Sequence, residues 1–357
     1  MRISTPSRSL ALLYPLGRPC AVLLVLALVV VVSGCQPGFD PQSKVTKQRV
    51  LGIIASPPEA AFDGSSSLRA VLSFPERATK LTWSACPLPL GSLGGYACGT
   101  DEIPLPAADP TGDEVVLDAA PLLGFAKSLG AFFPMFVKAT KASLEQDDDC
   151  LRGVLGEWET CVADAGADEE TGNPACNEAG GARAAICLRE EGVEVYVRLT
   201  LDSEPDEVGG PPISVEAIKR VLFRDPPEGV ERNTNPVLQG LTLGERRILD
   251  GETVLFTPGE TLDFEPIVDE TVVESYAKDT TGSGAPEEET VYFSWFATAG
   301  SFSYTRTVVA LPENSLKTPS ATSDEATEEI RVWVFIRDDR FGSGLVSFTL
   351  QAEGASL

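Results

Sequence analysis

The stretch "VEVYVRLTLDS", Val193–Ser203, alternates apolar and polar side chains from end to end. Successive side chains of a strand point to opposite faces, so this pattern gives one face to a core and the other to water, as in an antiparallel sheet. "AIKRVLFRD" (217–225) follows it and reads as the neighbouring strand. Upstream, "RVLGIIAS" (49–56), "SLRAVLSF" (67–74) and "TKLTWSAC" (79–86) are further β-rich runs, with "PPEAAFDGSS" and "PERA" supplying turns between them. Val50, Ile53, Leu68, Val71, Leu81 and Trp83 form the expected inward set.

Between Leu117 and Glu191 the apolar period changes from two to between three and four. "CLRGVLGEWETCVADA" (150–165) places Leu151, Val154, Leu155, Trp158, Cys161 and Val162 on one helical face. "GAFFPMFVKATKASLEQ" (130–146) is a second expected helix, with Pro134 near its start and Phe133, Phe136, Val137 and Leu144 inward. "NPACNEAGGARAAICLRE" (173–190) is a third, with Asn173 as its cap and Pro174 at its first position. Gly180 and Gly181 oppose it by about 1 kcal/mol each relative to alanine. The block, at about 118–191, reads as a helical insertion between strands of the first sandwich.

The cysteines bear on how that insertion is held. Cys150 and Cys161 are eleven residues apart, as are Cys176 and Cys187. Eleven helical residues turn through about three full turns and rise about 16 Å, so each pair shares a face but is too far apart to bond internally. Antiparallel helices would join Cys150 to Cys187 and Cys161 to Cys176, leaving Cys86 with Cys98 across a short loop. Parallel helices would give the other matching, but only 14 residues separate Cys161 from Cys176, and short connections favour antiparallel neighbours.

After "RDPPEGVERNTNP", a linker read at 226–235, strands resume: "NPVLQGLTLG", "ETVLFTPGETLDFEPIVD", "VYFSWFATAG", "SYTRTVVA", "EEIRVWVFIRDD" and "GLVSFTLQAE". Short strands separated by turns point to a sandwich rather than a parallel sheet. "APEEET" (285–290) and "TPSATSDEATEE" (318–329) read as solvated loops. A quasi-repeat links the two halves, since "LTWSAC" and "FSWFATAG" each put a tryptophan, Trp83 and Trp295, on a middle strand. In immunoglobulin-type sandwiches that indole fills the space between the sheets. The expected architecture is therefore mainly β, with two immunoglobulin-like β-sandwiches in tandem over 49–225 and 236–357, the first carrying a disulfide-braced α-helical insertion.

Residues 1–34 contain Arg2, Arg8 and Arg18, no acid, and the apolar run Ala21 to Val32, which is too short to cross a bilayer and reads as an export signal. It ends in "VSGC". Val32-Ser33-Gly34-Cys35 resembles the lipobox of bacterial lipoproteins. The resemblance implies cleavage before Cys35, a thioether-linked diacylglycerol on its sulfur and acylation of its amine. Cys20 would be lost with the signal. Several acyl chains hold a protein stably at a membrane, which is the expected anchor. Gln36 in place of aspartate suggests the outer membrane, by analogy with enteric lipoprotein sorting. "QPGFDPQSKVTKQ" (36–48) reads as a flexible tether, so 35–48 is the lipidated cysteine and its leash.

"IRVWVFIRDDRFGSGLVSFTLQ" looks like the last hairpin of PKD and related immunoglobulin-like domains of bacteria, and "PPEAAFDGSSSLRAVL" looks like their opening strands. With the lipobox, the chain resembles two-domain, PKD-like lipoproteins of Gram-negative bacteria. The helical insertion departs from that pattern. The fold so implied does not fix a function.

The charge is -25 over 357 residues, and becomes -28 over the remaining 323 once residues 1–34 and their three arginines are removed. Such a surface disfavours nucleic acid and anionic lipid headgroups. The absence of histidine removes Ser-His and Cys-His nucleophile pairs and the commonest zinc ligand. No phosphate-cradling, nucleophile-elbow or dithiol motif is present. Asp338, Asp339 and Ser343 in "RDDRFGSG" have the oxygens a calcium ion needs, but their spacing fits no dedicated loop and a hairpin turn is the expected role. Asp147, Asp148 and Asp149 are expected to favour a helix N-terminus. No cofactor and no metal are expected.

The reading that follows is a lipid-anchored protein of the cell envelope, held to the membrane through Cys35. It would act as a non-catalytic binding or adhesion module with an envelope protein or glycan as partner. A passive spacer or assembly subunit is the alternative. A hydrolase using two carboxylates stands third, because no pair can be singled out among 53 acidic residues.

Overall fold

The computed structural model describes residues 42–87, 89–91, 95–99, 101–108, 111–119, 149–167, 173–205, 210–277 and 286–353, with side chains of the first helix from 153 onward. The first sandwich opens with β1 (Val50–Ser56), from which the chain passes to the opposite sheet as β2 (Glu59–Ala60). It continues as β3 (Ser65–Leu72), β4 (Ala78–Cys86), β5 (Ile103–Leu105) and β6 (Glu114–Asp118), and after the insertion as β7 (Val193–Ser203) and β8 (Ile213–Phe223). One sheet has the order β1-β3-β6 and the other β2-β8-β7-β4-β5. The first strand is thus shared between sheets, with β2 running parallel to β8.

The second sandwich repeats the scheme. It comprises β9 (Leu238–Leu243), β10 (Arg246–Ile248), β11 (Thr253–Phe256), β12 (Thr261–Val268), β13 (Ser275–Ala277), β14 (Pro286–Glu288), β15 (Tyr292–Ala297), β16 (Ser301–Phe302), β17 (Arg306–Val308), β18 (Asn314–Lys317), β19 (Glu329–Arg337) and β20 (Ser343–Ala352). The sheets are β10-β9-β12-β18-β16 and β11-β20-β19-β15-β17, with β13 and β14 forming a separate hairpin. Again one early strand, β11, pairs parallel with the last, β20. Both sandwiches therefore have immunoglobulin-like topology, and the chain is mainly β.

The two tryptophans occupy equivalent places. Trp83 lies on β4 and Trp295 on β15, both buried between sheets. Each indole N–H finds an acceptor, Gly112 O at 2.8 Å and Thr307 Oγ1 at 2.9 Å. A buried indole needs such a partner, because an unmet N–H costs about 1–3 kcal/mol. Around Trp83 lie Ile53, Leu68, Val197 and Leu199, and around Trp295 lie Phe264, Phe293, Val334 and Phe348.

The insertion contributes α1 (Asp149–Asp164) and α2 (Pro174–Glu191) between β6 and β7. Asn173 caps α2, its side chain accepting from Ala175 N at 3.0 Å, and Pro174 stands in the first turn. Val154, Leu155, Trp158 and Val162 of α1 pack on Cys176, Ala184 and Cys187 of α2 in a core of their own. Gly180 and Gly181 are buried on that face, where their small size suits the helix contact. The expected helix over 130–146 and the aspartates 147 and 148 lie outside the described residues, as does the side chain of Asp149.

Two sequence readings are corrected. Residues 42–48 do not form the free end of a tether: Val45 is fully buried, its N–H donates to Ala297 O at 2.8 Å, and Ala297 N donates to Ser43 O at 2.9 Å. A segment this short shows no period, yet one apolar anchor and a pair of backbone bonds suffice to dock it. Val71 does not belong to the first core. It joins Val45, Leu51, Trp333 and Phe335 in a small cluster where the sandwiches meet. The 226–235 segment joins the two sandwiches, and Asn233 and Asn235 in it are tied to both.

From Gln42 onward the described residues form one compact unit. Beside the apolar cluster lies a buried ionic junction. Glu59 on β2 accepts from Arg224 Nε at 2.5 Å, Arg224 Nη2 at 3.1 Å and Asn233 N at 3.0 Å. Arg340, from the second sandwich, has Nη2 3.6 Å from Glu59 and donates through Nη1 to Glu289 at 3.0 Å and Glu274 at 3.4 Å. Asn235 completes the clasp by donating to Ala55 O at 2.7 Å and accepting from Ser343 N at 2.8 Å.

Candidate functional site

A cleft of about 790 Å³ opens where the two sandwiches meet. β8 explains its first wall. Ile213, Val215, Ala217, Val221 and Phe223 alternate on the inward side of that strand, and Lys219 stands in the same register. A lysine in an apolar register needs an outlet for its ammonium, and the outlet is the facing sandwich. Nζ donates to Phe341 O at 2.5 Å and to Ser343 Oγ at 3.2 Å. Ile218 and Arg220, on the outward register, face the cleft as exposed residues.

The second wall is the hairpin turn between β19 and β20, with Tyr292 of β15 beside it. The guanidinium of Arg220 lies 3.7 Å over the ring of Phe341, so a residue of each sandwich stacks on the other. Phe341 holds φ at 79°, which turns its ring toward β8 and its carbonyl toward Lys219. Arg337, at the end of β19, donates through Nη2 to Leu51 O at 3.0 Å. Its Nε is buried and has no acceptor.

The rim comes from the loop between Cys86 and Cys98. These cysteines are bonded, with Cα atoms 5.6 Å apart, and the loop closes on itself through Tyr96 N to Gly91 O and Leu90 N to Ala97 O, both 2.9 Å. Tyr96 sits at φ 59° with 45% of its surface exposed, and its ring lies 6.1 Å from that of Tyr196. Arg198 ties the loop to the sheet by donating to Tyr96 O at 3.0 Å while pairing with Glu102 and Glu216.

The charges are unevenly satisfied. Burial lowers the Lys219 pKa to about 8, Arg337 and Arg220 push it the same way, and Asp338 opposes them. Burial also lowers that of Arg337, partly offset by Tyr292. Tyr196 is raised by burial and by Glu194, against Arg220. Of the acids facing the cleft, Glu216 accepts from Arg198 Nη1 at 3.0 Å. Asp338 accepts from Gly342 N at 2.6 Å and lies 3.4 Å from Asn233 Nδ2, while burial raises its pKa. Asp338 is the buried one of the three acids lining the cleft, whereas Asp339 is exposed and Glu216 is exposed but held by Arg198.

The sequence-derived candidates fall as follows. Asp338 and Ser343 belong to a hairpin turn that clasps the other sandwich, and no group of three metal-ligating side chains occurs among the described residues. Cys161 is bonded to Cys176, with Cα atoms 5.9 Å apart. Cys187 is also disulfide-bonded. Its expected partner, Cys150, has its side chain outside the described residues, and so does Cys35. Among the described residues no helix is long and apolar enough to cross a membrane. Sequence reasoning missed Tyr96, Lys219, Arg220 and Arg337. The one local signal was Lys219, a cation at an inward position of an otherwise apolar alternation.

No protein-family model matches the chain, and no curated protein does. Among solved structures it is similar to a nucleoside hydrolase-related hypothetical protein from Saccharophagus degradans, at 12% identity over 34% of this chain and 28% of that one, with a TM-score of 0.21. It is also similar to protocadherin gamma B7 extracellular cadherin domains 1–4, at 15% identity over 44% and 32% of the two chains and a TM-score of 0.16. A third is the N-terminal Ig1-2 module of the Drosophila receptor protein tyrosine phosphatase DLAR, at 6% identity over 86% and 98% and a TM-score of 0.20. The chain spans less than a third of the length of the first two. Likenesses this slight carry no argument about function.

Proposed function

We propose that the chain is a lipid-anchored protein of the cell envelope that acts as a non-catalytic binding or adhesion module, with the junction cleft as its ligand-facing surface. The observation that carries this reading is the cleft itself, walled by side chains of both sandwiches. Clefts between domains are where ligands commonly bind, and a volume of this order suits a small ligand or one segment of a large one. Two of the three carboxylates of the cleft lining serve structure, while Asp339 is exposed to solvent. Glu216 is paired with Arg198, and Asp338 closes its own turn, so neither stands ready as an acid or base toward a substrate.

The anchor belongs to the same proposal. Lipid on Cys35 would hold the sandwiches at the outer membrane of the envelope and place the cysteines in an oxidising compartment, which agrees with the bonded pairs Cys86–Cys98 and Cys161–Cys176. The test is amide hydrogen exchange on the full chain, purified with its native processing, with and without solubilised envelope protein and polysaccharide. Protection of β8 and of the β19–β20 turn is expected. Unchanged exchange at both, with every envelope fraction, would leave a passive spacer as the better account.

A further inference from the structure

We infer that residues 42–48 are a detachable strap: docked on the second sandwich they shorten the leash to the anchor, and peeled away they let the sandwiches stand further out. The strap rests on its own geometry, and its use as a leash rests on the lipid on Cys35 proposed above.

The dock is small and sits at an open sheet edge. On one side β15 is paired by β17 and Thr305 only as far as Trp295, which leaves the backbone of Ala297 to the strap. Lys44 forms a parallel bridge there, with Val45 N donating to Ala297 O at 2.8 Å and Ala297 N to Ser43 O at 2.9 Å. One apolar side chain enters the junction, that of Val45, among Leu51, Val71, Trp333 and Phe335. At the rim Lys44 Nζ meets Glu325 at 2.6 Å, and an ion pair with one partner this open to water adds little. Arg49 folds back to donate to Gln42 O and Lys44 O, both at 3.2 Å, which ties the strap to its own hinge and not to the second sandwich.

Buried polar groups oppose the dock. Gln48 and Ser43 are 3% and 2% exposed. Among the described residues neither amide atom of Gln48 nor the hydroxyl of Ser43 has a hydrogen-bond partner. Release restores their bonds to water and the conformational freedom of seven residues. A segment held by one valine and two backbone bonds therefore lies at the low end of the stability found within a fold. Peeling stops at the hinge. Arg49 N donates to Ser73 Oγ at 2.9 Å, Ser73 N donates to Arg49 O at 3.1 Å, and β1 pairs with β3 from Val50 onward.

Chain length gives the release its effect. Cys35 and Gln42 are seven residues apart, at most about 25 Å of extended chain, whereas Cys35 and Arg49 are fourteen apart, about 50 Å. The docked leash leaves from the second sandwich, so a pull on the anchor loads the strap before it loads β1. A binding module held this way stays close to its membrane until an engaged partner draws it out.

The test is native-state hydrogen exchange on the full chain, read at the Val45 and Ala297 amides and at those of β7 and β19. The strap amides should exchange at least about a hundredfold faster than the others, at a rate that low urea leaves unchanged. Val45→Ser should speed the Ala297 amide by about tenfold, and Gln48→Leu, which removes the unmet amide, should slow it by about tenfold, with β7 and β19 unaffected by either. Neutron reflectometry on a supported bilayer bearing the lipidated chain should place the Val45→Ser sandwiches further out than the parent's by about 10 Å. Strap amides as slow as those of β19, or a rate that neither variant moves, would overturn the inference and leave the binding reading standing. Equal heights on the bilayer would overturn the leash. Fast strap exchange in a chain whose first peptide carries no lipid would uphold the strap and remove the leash together with the anchor.

Discussion

A β-carbon placed on Gly52 would stand 2.7 Å from Cε1 of Phe335. β1 of the first sandwich thus lies against β19 of the second with no room for a side chain, and the aromatic ring fills the space. Gly52 also sits at an irregularity in the pairing of β1 with β3, where the strand bends toward this contact. The close approach is one of the contacts, with the Lys219 and Asn235 hydrogen bonds, that join the two sandwiches.

Gly52→Val is therefore expected to force the junction open rather than to unfold either sandwich. Overpacking of this kind costs about 1–3 kcal/mol. Urea unfolding should show a lowered midpoint, and small-angle scattering should show a larger radius of gyration than the parent. An unchanged scattering profile would mean that Phe335 swings aside and that the junction does not depend on the glycine.

Glu59 is buried and is shared by Arg224, Asn233 and Arg340. Removing one partner of a buried ion pair leaves an uncompensated charge, which costs about 3–5 kcal/mol. Glu59→Ala should destabilise by that order in chemical unfolding, because Arg224 and Asn233 N would lose their acceptor and Arg340 one of its counter-charges. Glu59→Gln, which keeps an acceptor oxygen, should cost less. Equal losses for the two variants would show that the charge of Glu59 plays no special part.

Much of the fold is legible because each sandwich strand carries its own signal. Val193–Ser203 alternates along its whole length, Asn173-Pro174 marks a helix start, and the two tryptophans mark the middle strands. Short edge strands such as Ile103–Leu105 and Glu114–Asp118 carry too few residues to show a period. The junction is illegible for a different reason. Its members lie far apart in the chain, Glu59 with Arg340 and Lys219 with Phe341, and nothing local in either stretch encodes the partner. Asp338 read alone suggests a ligand oxygen, yet it is Asn233, over a hundred positions away, that gives it a structural task.

Glu289 gives the junction a pH dependence. Burial raises its pKa to about 7, the nearby charges of Asp338 and Glu274 add to the rise, and Arg340 opposes it. The ordinary value is 4.5, so between about 4.5 and about 7 the folded chain keeps a proton that the unfolded chain has released. Stability from this group must then fall as pH climbs through that window and level off above it. Lys219 acts at the other end. Its pKa of about 8 lies below the ordinary 10.5, so its contribution rises as pH climbs from about 8 to 10.5. The stability difference between the parent chain and Glu289→Gln, measured by urea unfolding at pH 5 and pH 7.5, should shift against the parent at the higher pH. A constant difference would place the Glu289 carboxyl in ordinary contact with water.

The Cys86–Cys98 bond tests whether the rim is built or merely tolerated. It closes a loop of separation 12 in which Tyr96 holds a positive φ that a tyrosine rarely adopts. Without the crosslink, that backbone conformation rests on two loop hydrogen bonds and on Arg198. A crosslink of this span limits the unfolded chain by about 3 kcal/mol in the loop-entropy account. The double variant Cys86→Ser, Cys98→Ser should lower the unfolding midpoint accordingly while leaving both tryptophan cores intact, since Trp83 and Trp295 lie outside the loop. Hydrogen exchange should rise at residues 89–99 and stay low in β7 and β8, and ligand affinity at the cleft should fall with it, because a mobile Tyr96 must be ordered on binding. If exchange rises across β4 and β7 together, the bond holds the sheet rather than the rim, and the loop's part in recognition has to be given up.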